Sequence, residues 1–332
     1  MKNTLNLILL SLVILISCKE EIKKEEVKTV QKPLLASAPV FSGENAFNLV
    51  AKQVAFGPRN PNSVGHTAMG NWLIDTLKMY ADTVYVQYAD LKAFDGKILK
   101  SRNIIASFNP ENKKRMFVSA HWDTRPFADQ DSEKPEEPIL GANDGASGVA
   151  VLIELARILK ETPVKEGLDL IFFDAEDYGQ PAESEFPYME DSYCLGSQYW
   201  SNNPHVFGYS AQFGILLDMV GAKDAIFTQE GFSRQYANNY LQKVWNYASA
   251  IGYGKYFSFD KTSPITDDHY YVNTIAKIPT LDILHHDRNT RSGFGSYWHT
   301  HEDNLDAVDA ATLKAVGQTV TQVIYQFDQG NF

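Results

Sequence analysis

Several short stretches of this 332-residue chain carry metal-ligating or proton-handling side chains at spacings that point to chemistry. They are His121-Trp122-Asp123, the segment Gly141-Ala142-Asn143-Asp144-Gly145-Ala146-Ser147-Gly148, Asp174-Ala175-Glu176-Asp177, the lone Asp218, Thr266-Asp267-Asp268-His269 and Tyr297-Trp298-His299-Thr300. Asp144 stands among glycines and small residues, and glycines let another body approach the backbone closely. That setting suits a metal ion, and it suits a helix N-cap equally well, so the stretch alone does not choose. Carboxylates gathered in one place repel unless a cation neutralises them. His with Asp and Glu, and no Cys, is the donor set of a catalytic zinc site. His299 and His301 share a face if their segment is extended, and spacing does not separate them. His66, His205, His285 and His286 have no acidic cluster beside them and read as surface or satisfied core residues.

These side chains need a scaffold that brings them together. Helical spacing of Ala46, Leu49, Val50 and Val54 predicts a first helix ended by Gly57-Pro58, and Asn62-Ser63 opens a second. Residues 83–88 and 102–108 read as strands, 116–120 as a short apolar strand, 149–159 as a helix. The run 168–173 suits a strand buried on both faces, and 213–217 and 280–284 read as two more. Residues 236–250 and 307–327 read as helices. Alternating strands and helices imply an α/β three-layer sandwich around a mostly parallel central sheet. His121 follows the 116–120 strand, Glu176 and Asp177 follow 168–173, and Asp218 ends 213–217. Ligand sites in such sheets lie at the carboxyl ends of strands, so these groups are expected on one rim.

A net charge of −11 offers no basic stripe to neutralise phosphates, which excludes a nucleic-acid partner. The apolar run 5–16 after Lys2 is short for a membrane span and leads to Ser17-Cys18. Leu15-Ile16-Ser17-Cys18 resembles a bacterial lipobox, with Cys18 the lipidated residue. Residues 1–18 are then a lipoprotein signal peptide, 19–42 a charged tether, and 43–332 one catalytic domain. The expected product is an exported, monomeric lipoprotein, periplasm-facing or anchored at the outer membrane or cell surface through its lipid alone. Cys194, the other cysteine, reads as a buried inert thiol.

The order of motifs resembles a known family. His-x-Asp, then Gly-Ala-x-Asp-x-x-Ser-Gly, then a Glu-Glu or Glu-Asp pair, then a strand-end Asp, then His-Thr is the order in the zinc aminopeptidases of the M28-like superfamily and in the glutaminyl cyclases related to them. The resemblance covers most of residues 40–332 and implies a zinc-exopeptidase-like fold. It implies one zinc held by Asp144, Asp177 and His299, with Glu176 as proton shuttle; in a dizinc aminopeptidase His121 and Asp218 would hold a second metal. Asp267 in Asp-Asp-His, where aminopeptidases usually have Ser, and Trp298 before the metal His resemble the cyclase branch. That branch implies Asp267 and Asp218 as partners of Glu176, Trp298 as a substrate wall, and peptides or proteins with N-terminal Gln as substrates. The product is pyroglutamate and ammonia. Asp282 stands where the animal cyclases have His, and the acidic loop 178–193 differs from theirs. The alternatives are a dizinc aminopeptidase and a lipid-anchored peptide-binding protein on a retired peptidase scaffold.

Overall fold

The computed structural model describes residues 35–332. Cys18 and the stretch 1–18 expected to be a signal peptide lie outside the described residues. Six strands form one sheet in the order β1-β2-β4-β3-β5-β8: β1 (Thr83–Lys92), β2 (Ile98–Phe108), β3 (Arg115–His121), β4 (Gly167–Phe173), β5 (Gly214–Asp218) and β8 (Thr280–Leu284). The four strands β4, β3, β5 and β8 are parallel, while β1 and β2 form an antiparallel hairpin on one edge. This is the expected mostly parallel sheet.

Strand periodicity explains why the sheet must be covered twice. Met116, Val118 and Ala120 of β3, with Leu168, Leu170 and Phe172 of β4, join the larger apolar cluster on one face. Phe117, Ile171 and Phe173 alternate with them and meet Trp200, Val272 and Ile278 on the other face. Successive side chains of a strand point to opposite faces, so an unbroken apolar run demands two layers. One layer is α1 (Gly43–Val54), α3 (Ala146–Glu161) and α8 (Ala310–Asp328); the other holds α4 (Leu195–Asn202) and the short α7 (Asp268–Tyr271) with the π-helical turn Val272–Ala276 that continues it.

Several expectations change. The helix expected over 236–250 is α6 (Asn238–Ala250), and a short helix that was not expected, α5 (Gly231–Tyr236), precedes it across Ala237. A 3-10 turn, Leu305–Ala307, precedes α8. The small pair β6 (Phe227–Gln229) and β7 (Phe257–Lys261) has no counterpart in the sequence reading, because both are short and β7 is mostly exposed. α2 (Val64–Lys78) starts at the expected Ser63 cap.

The packed region also begins before residue 42, so the tether assignment 19–42 runs too far. Phe41 is fully buried, and its backbone N–H donates to Gln318 Oε1 of α8 at 2.8 Å. Its ring lies where a Cβ on Gly317 would sit, 2.3 Å away, so α8 carries glycine there. Phe41→Ala should therefore cost about 3–5 kcal/mol, read as a lower urea midpoint at unchanged slope.

Candidate metal and catalytic site

The chain enters β3, crosses through α3 to β4 on one side, and later places β5 on the other side of β3. The crevice between β3 and β5 is thus a switch point, where open α/β sheets bind ligands. His121 ends β3 and Asp218 ends β5, and His121 Nε2 lies 3.2 Å from Asp218 Oδ1. Asp144 precedes α3, whose N-cap is Gly145 with no side-chain cap. The capping alternative for Asp144 therefore falls. Its backbone N–H donates to Asp303 Oδ2 at 3.0 Å, which leaves its carboxyl for the crevice.

Asp144 belongs to two donor groups at once. Its Oδ1 is 3.0 Å from His121 Nε2, and its Oδ2 is 4.0 Å from His299 Nε2. His299 Nε2 lies 3.3 Å from Asp177 Oδ1. The sets Asp144, Asp177, His299 and His121, Asp144, Asp218 each gather their donor atoms within 4.8 Å. Asp177 Oδ2 is buried and meets no donor among the described residues. A buried oxygen without a donor, beside further carboxylates and two imidazoles, fits a divalent ion with oxygen and nitrogen ligands. His301 turns away and pairs with Asp131 at 2.9 Å, so the structure separates the two histidines.

Supporting carboxylates orient these groups. Asp129 Oδ1 is 3.0 Å from His299 Nδ1, the ring nitrogen turned away from Asp177. Asp123 accepts the backbone N–H groups of Glu176 at 3.0 Å and Asp177 at 3.2 Å. Asp303 does the same for Asn143 and Asp144. The Asp129 contact carried no motif in the sequence: it lies in a loop, and only the need of a ligating His for a second partner points to it. Asp129→Asn should weaken zinc affinity about 10–100-fold, read by competition with a chromophoric chelator, with activity recovered in excess zinc. Two guanidiniums lie beneath. Arg59 is fully buried, donates to Leu140 O and Gly141 O, and faces Asp303, Asp123 and Asp144. Arg125 donates to the Asp177 carbonyl at 2.9 Å and to Asp129 at 2.7 Å.

Glu176 and Asp218 keep some access to solvent, each side chain being 13% exposed, which sets the side from which a substrate reaches the site. Burial, against the pull of His121, and the charges of Asp177, Asp267 and Asp268 push Glu176 well above the usual carboxylate range. Burial, opposed by His121 and reinforced by Asp144 and Asp267, raises Asp218 to about 7. His121 is raised as well: desolvation opposes its charge, and hydrogen bonds to Asp123, Asp144 and Asp218 overcome it.

Glu176, Cys194 and Asp267 bring donor atoms within 4.8 Å of one another. Cys194 is buried as expected, yet it is no bystander, since its Sγ lies 3.2 Å from Glu176 Oε1. Burial pushes its thiol up, so it remains an S–H donor. Asp267 caps α7 through the Asp268 N–H and also brings a carboxyl oxygen within 4.8 Å of Glu176. Trp298 stacks on His299 with ring centroids 3.7 Å apart, and its other neighbour is Phe294. Non-glycine residues with left-handed backbone cluster here: Ala175 (φ 55°), Cys194 (58°), Met219 (49°) and His299 (56°). Such strain persists where surrounding contacts over-determine it. His66 is a satisfied core residue, bonded to Asp174 at 2.9 Å and stacked on Trp122.

The family model for peptidase family M28 matches residues 103–324, a span that contains every donor named above. The chain belongs to peptidase family M28. Among solved structures, the glutaminyl cyclase of Bacteroides thetaiotaomicron bound to N-acetylhistamine is 52% identical, with TM-score 0.85, over 87% of this chain and 99% of that one. A Zn-dependent exopeptidase from Parabacteroides distasonis is 49% identical, with TM-score 0.86, over 87% and 99%. The glutaminyl-peptide cyclotransferase of Drosophila melanogaster is 28% identical over 77% of this chain and 73% of its own length. The chain spans 46% of the length of the aminopeptidase YwaD of Bacillus subtilis and 73% of that of the Drosophila protein.

Proposed function

We propose that this M28 protein is a zinc-dependent glutaminyl cyclase that converts N-terminal glutaminyl residues of peptides to pyroglutamate with release of ammonia. The observation that carries the reading is Asp267, a buried acid whose Oδ2 meets no donor among the described residues and whose carboxyl groups with Glu176. A hydrolase needs one base for one water. A cyclase must take a proton from an amine and return it to a leaving amine, and adjacent acids that share protons suit that exchange.

The α-amine of N-terminal Gln attacks its own γ-amide carbon. The new C–N bond closes the ring, the Cδ–NH2 bond of the amide breaks, and one proton passes from the amine through Glu176 to the departing ammonia. The intramolecular reaction asks for alignment more than for an activated nucleophile, and alignment is worth on the order of 7–11 kcal/mol at best. Zinc held by Asp144, Asp177 and His299 supplies, when bound, a Lewis acid for the γ-carbonyl oxygen. Trp298, stacked on His299, forms a wall for the ring, and the charge of Asp267 holds Glu176 to its proton, with Asp218 as a further acid of the network. Through Cys18 the enzyme is exported as a lipoprotein, tethered outside the cytoplasm.

One observation favours a second reading, a dizinc aminopeptidase: His121, Asp144 and Asp218 keep a complete second donor group. A peptide beginning Gln-Phe separates the two. Loss of one ammonia from an otherwise intact peptide, read by mass spectrometry, is the expected outcome. Release of free Gln would overturn the cyclase reading in favour of the aminopeptidase.

A further inference from the structure

Behind Asp267 lies a second buried group that the reaction above does not use. Asp282, on β8, is fully buried, and no N–H or hydroxyl among the described residues reaches either of its carboxyl oxygens. One carboxyl oxygen of Asp282, one of Asp267 and a ring nitrogen of His269 gather within 4.8 Å, and His269 Nδ1 is 3.8 Å from Asp282 Oδ2. His269 is itself fixed from behind. Its Nε2 lies 3.1 Å from Glu230 Oε2, and Glu230 accepts the N–H groups of Phe232 at 2.6 Å, Ser233 at 2.7 Å and Ile265 at 2.8 Å, and the Ser233 hydroxyl at 2.9 Å. A carboxylate with that many donors is acceptor-only, so His269 Nε2 carries the hydrogen and Nδ1 is the nitrogen left facing Asp282.

Two carboxyls in contact away from water cannot both be charged at low cost. Asp267 accepts the Asp268 N–H at 2.5 Å, which favours its charge, whereas Asp282 has no such donor. The proton therefore belongs on Asp282. Burial and the charges of Asp267, Asp218 and Glu230 all act in the same direction on it. Resting on the cyclase reading, we propose that Asp282 is a positioning residue for Asp267: a neutral carboxylic acid that donates its O–H to Asp267, beside the His269 ring that Glu230 fixes. Asp267 is thereby held anionic and aimed at Glu176.

Asp282→Asn keeps a hydrogen-bond donor of the same shape, and Asp282→Ala removes it. The expected result is kcat within about threefold of wild type for Asp282→Asn and a loss of about 10–100-fold for Asp282→Ala, with KM little changed in both. An infrared difference spectrum, wild type minus Asp282→Asn at pH 8 without substrate, should contain the carbonyl stretch of a protonated carboxylic acid. That band reads the proton even if the protein makes no pyroglutamate, so the proposal and the cyclase reading fail separately. Its absence, or an Asp282→Asn variant as impaired as Asp282→Ala, would overturn the proposal. Wild-type activity in a folded Asp282→Ala protein would do the same.

Discussion

Glu176→Gln is expected to lose about 10²- to 10⁴-fold in kcat while its KM and zinc content stay close to wild type. Gln keeps the size and the hydrogen-bonding reach of Glu but cannot accept and return a proton. The residue is placed for that task by contacts on several sides. Asp123 holds its backbone N–H at 3.0 Å, Cys194 touches its carboxyl at 3.2 Å, and its pKa stands well above the usual range through burial and its acidic neighbours. A raised pKa lets the group be both acceptor and donor near neutral pH, which a two-way transfer demands. Steady-state kinetics on a Gln-Phe peptide, with metal content measured on the same sample, make the test. A variant that turns over normally would remove Glu176 from the proton path.

The second large effect concerns the ion. One zinc per chain is expected, and His299→Ala or Asp177→Asn should leave the protein without it. Loss of a Lewis acid worth several kcal/mol corresponds to a fall of about 10³-fold or more in kcat. Asp144→Asn should fall at least as far, because its two oxygens serve both donor groups. His121→Ala discriminates: it retains the single zinc of a cyclase, and it would drop one of two in a dizinc enzyme. Zinc at about a hundred times its Kd should also add about 2.7 kcal/mol to stability, seen as a higher Tm that chelator reverses. Equal zinc content in wild type and His299→Ala would place the ion elsewhere.

Much of the fold was legible because buried parallel strands write themselves as unbroken apolar runs. Residues 116–120, 168–173, 213–217 and 280–284 name the four parallel strands almost to the residue. The acids that follow those runs had to converge, whatever their separation in sequence. What stayed hidden depended on contacts between distant loops. Asp129 sits in a loop without periodicity, and only the folded chain brings it to His299. His299 and His301 could not be separated, because the left-handed backbone at His299 breaks the extended geometry that spacing assumes. Phe41 was assigned to the tether since its partner, α8, lies at the other end of the chain. Asp267 lies in a stretch whose spacing does not show that it caps α7 while facing Glu176; only the folded chain shows that.

Arg59 and Arg125 bear on the order of events in the life of the protein. The acids of the site come from segments spread between Asp123 and Asp303, so no binding place exists until the chain has folded throughout. Folding must then gather these charges before any ion arrives. The buried guanidiniums, one facing Asp303, Asp123 and Asp144 and the other set against Asp177 and Asp129, are internal counter-ions that make the empty pit tolerable. A chain balanced in this way can complete its architecture first and take up its metal last.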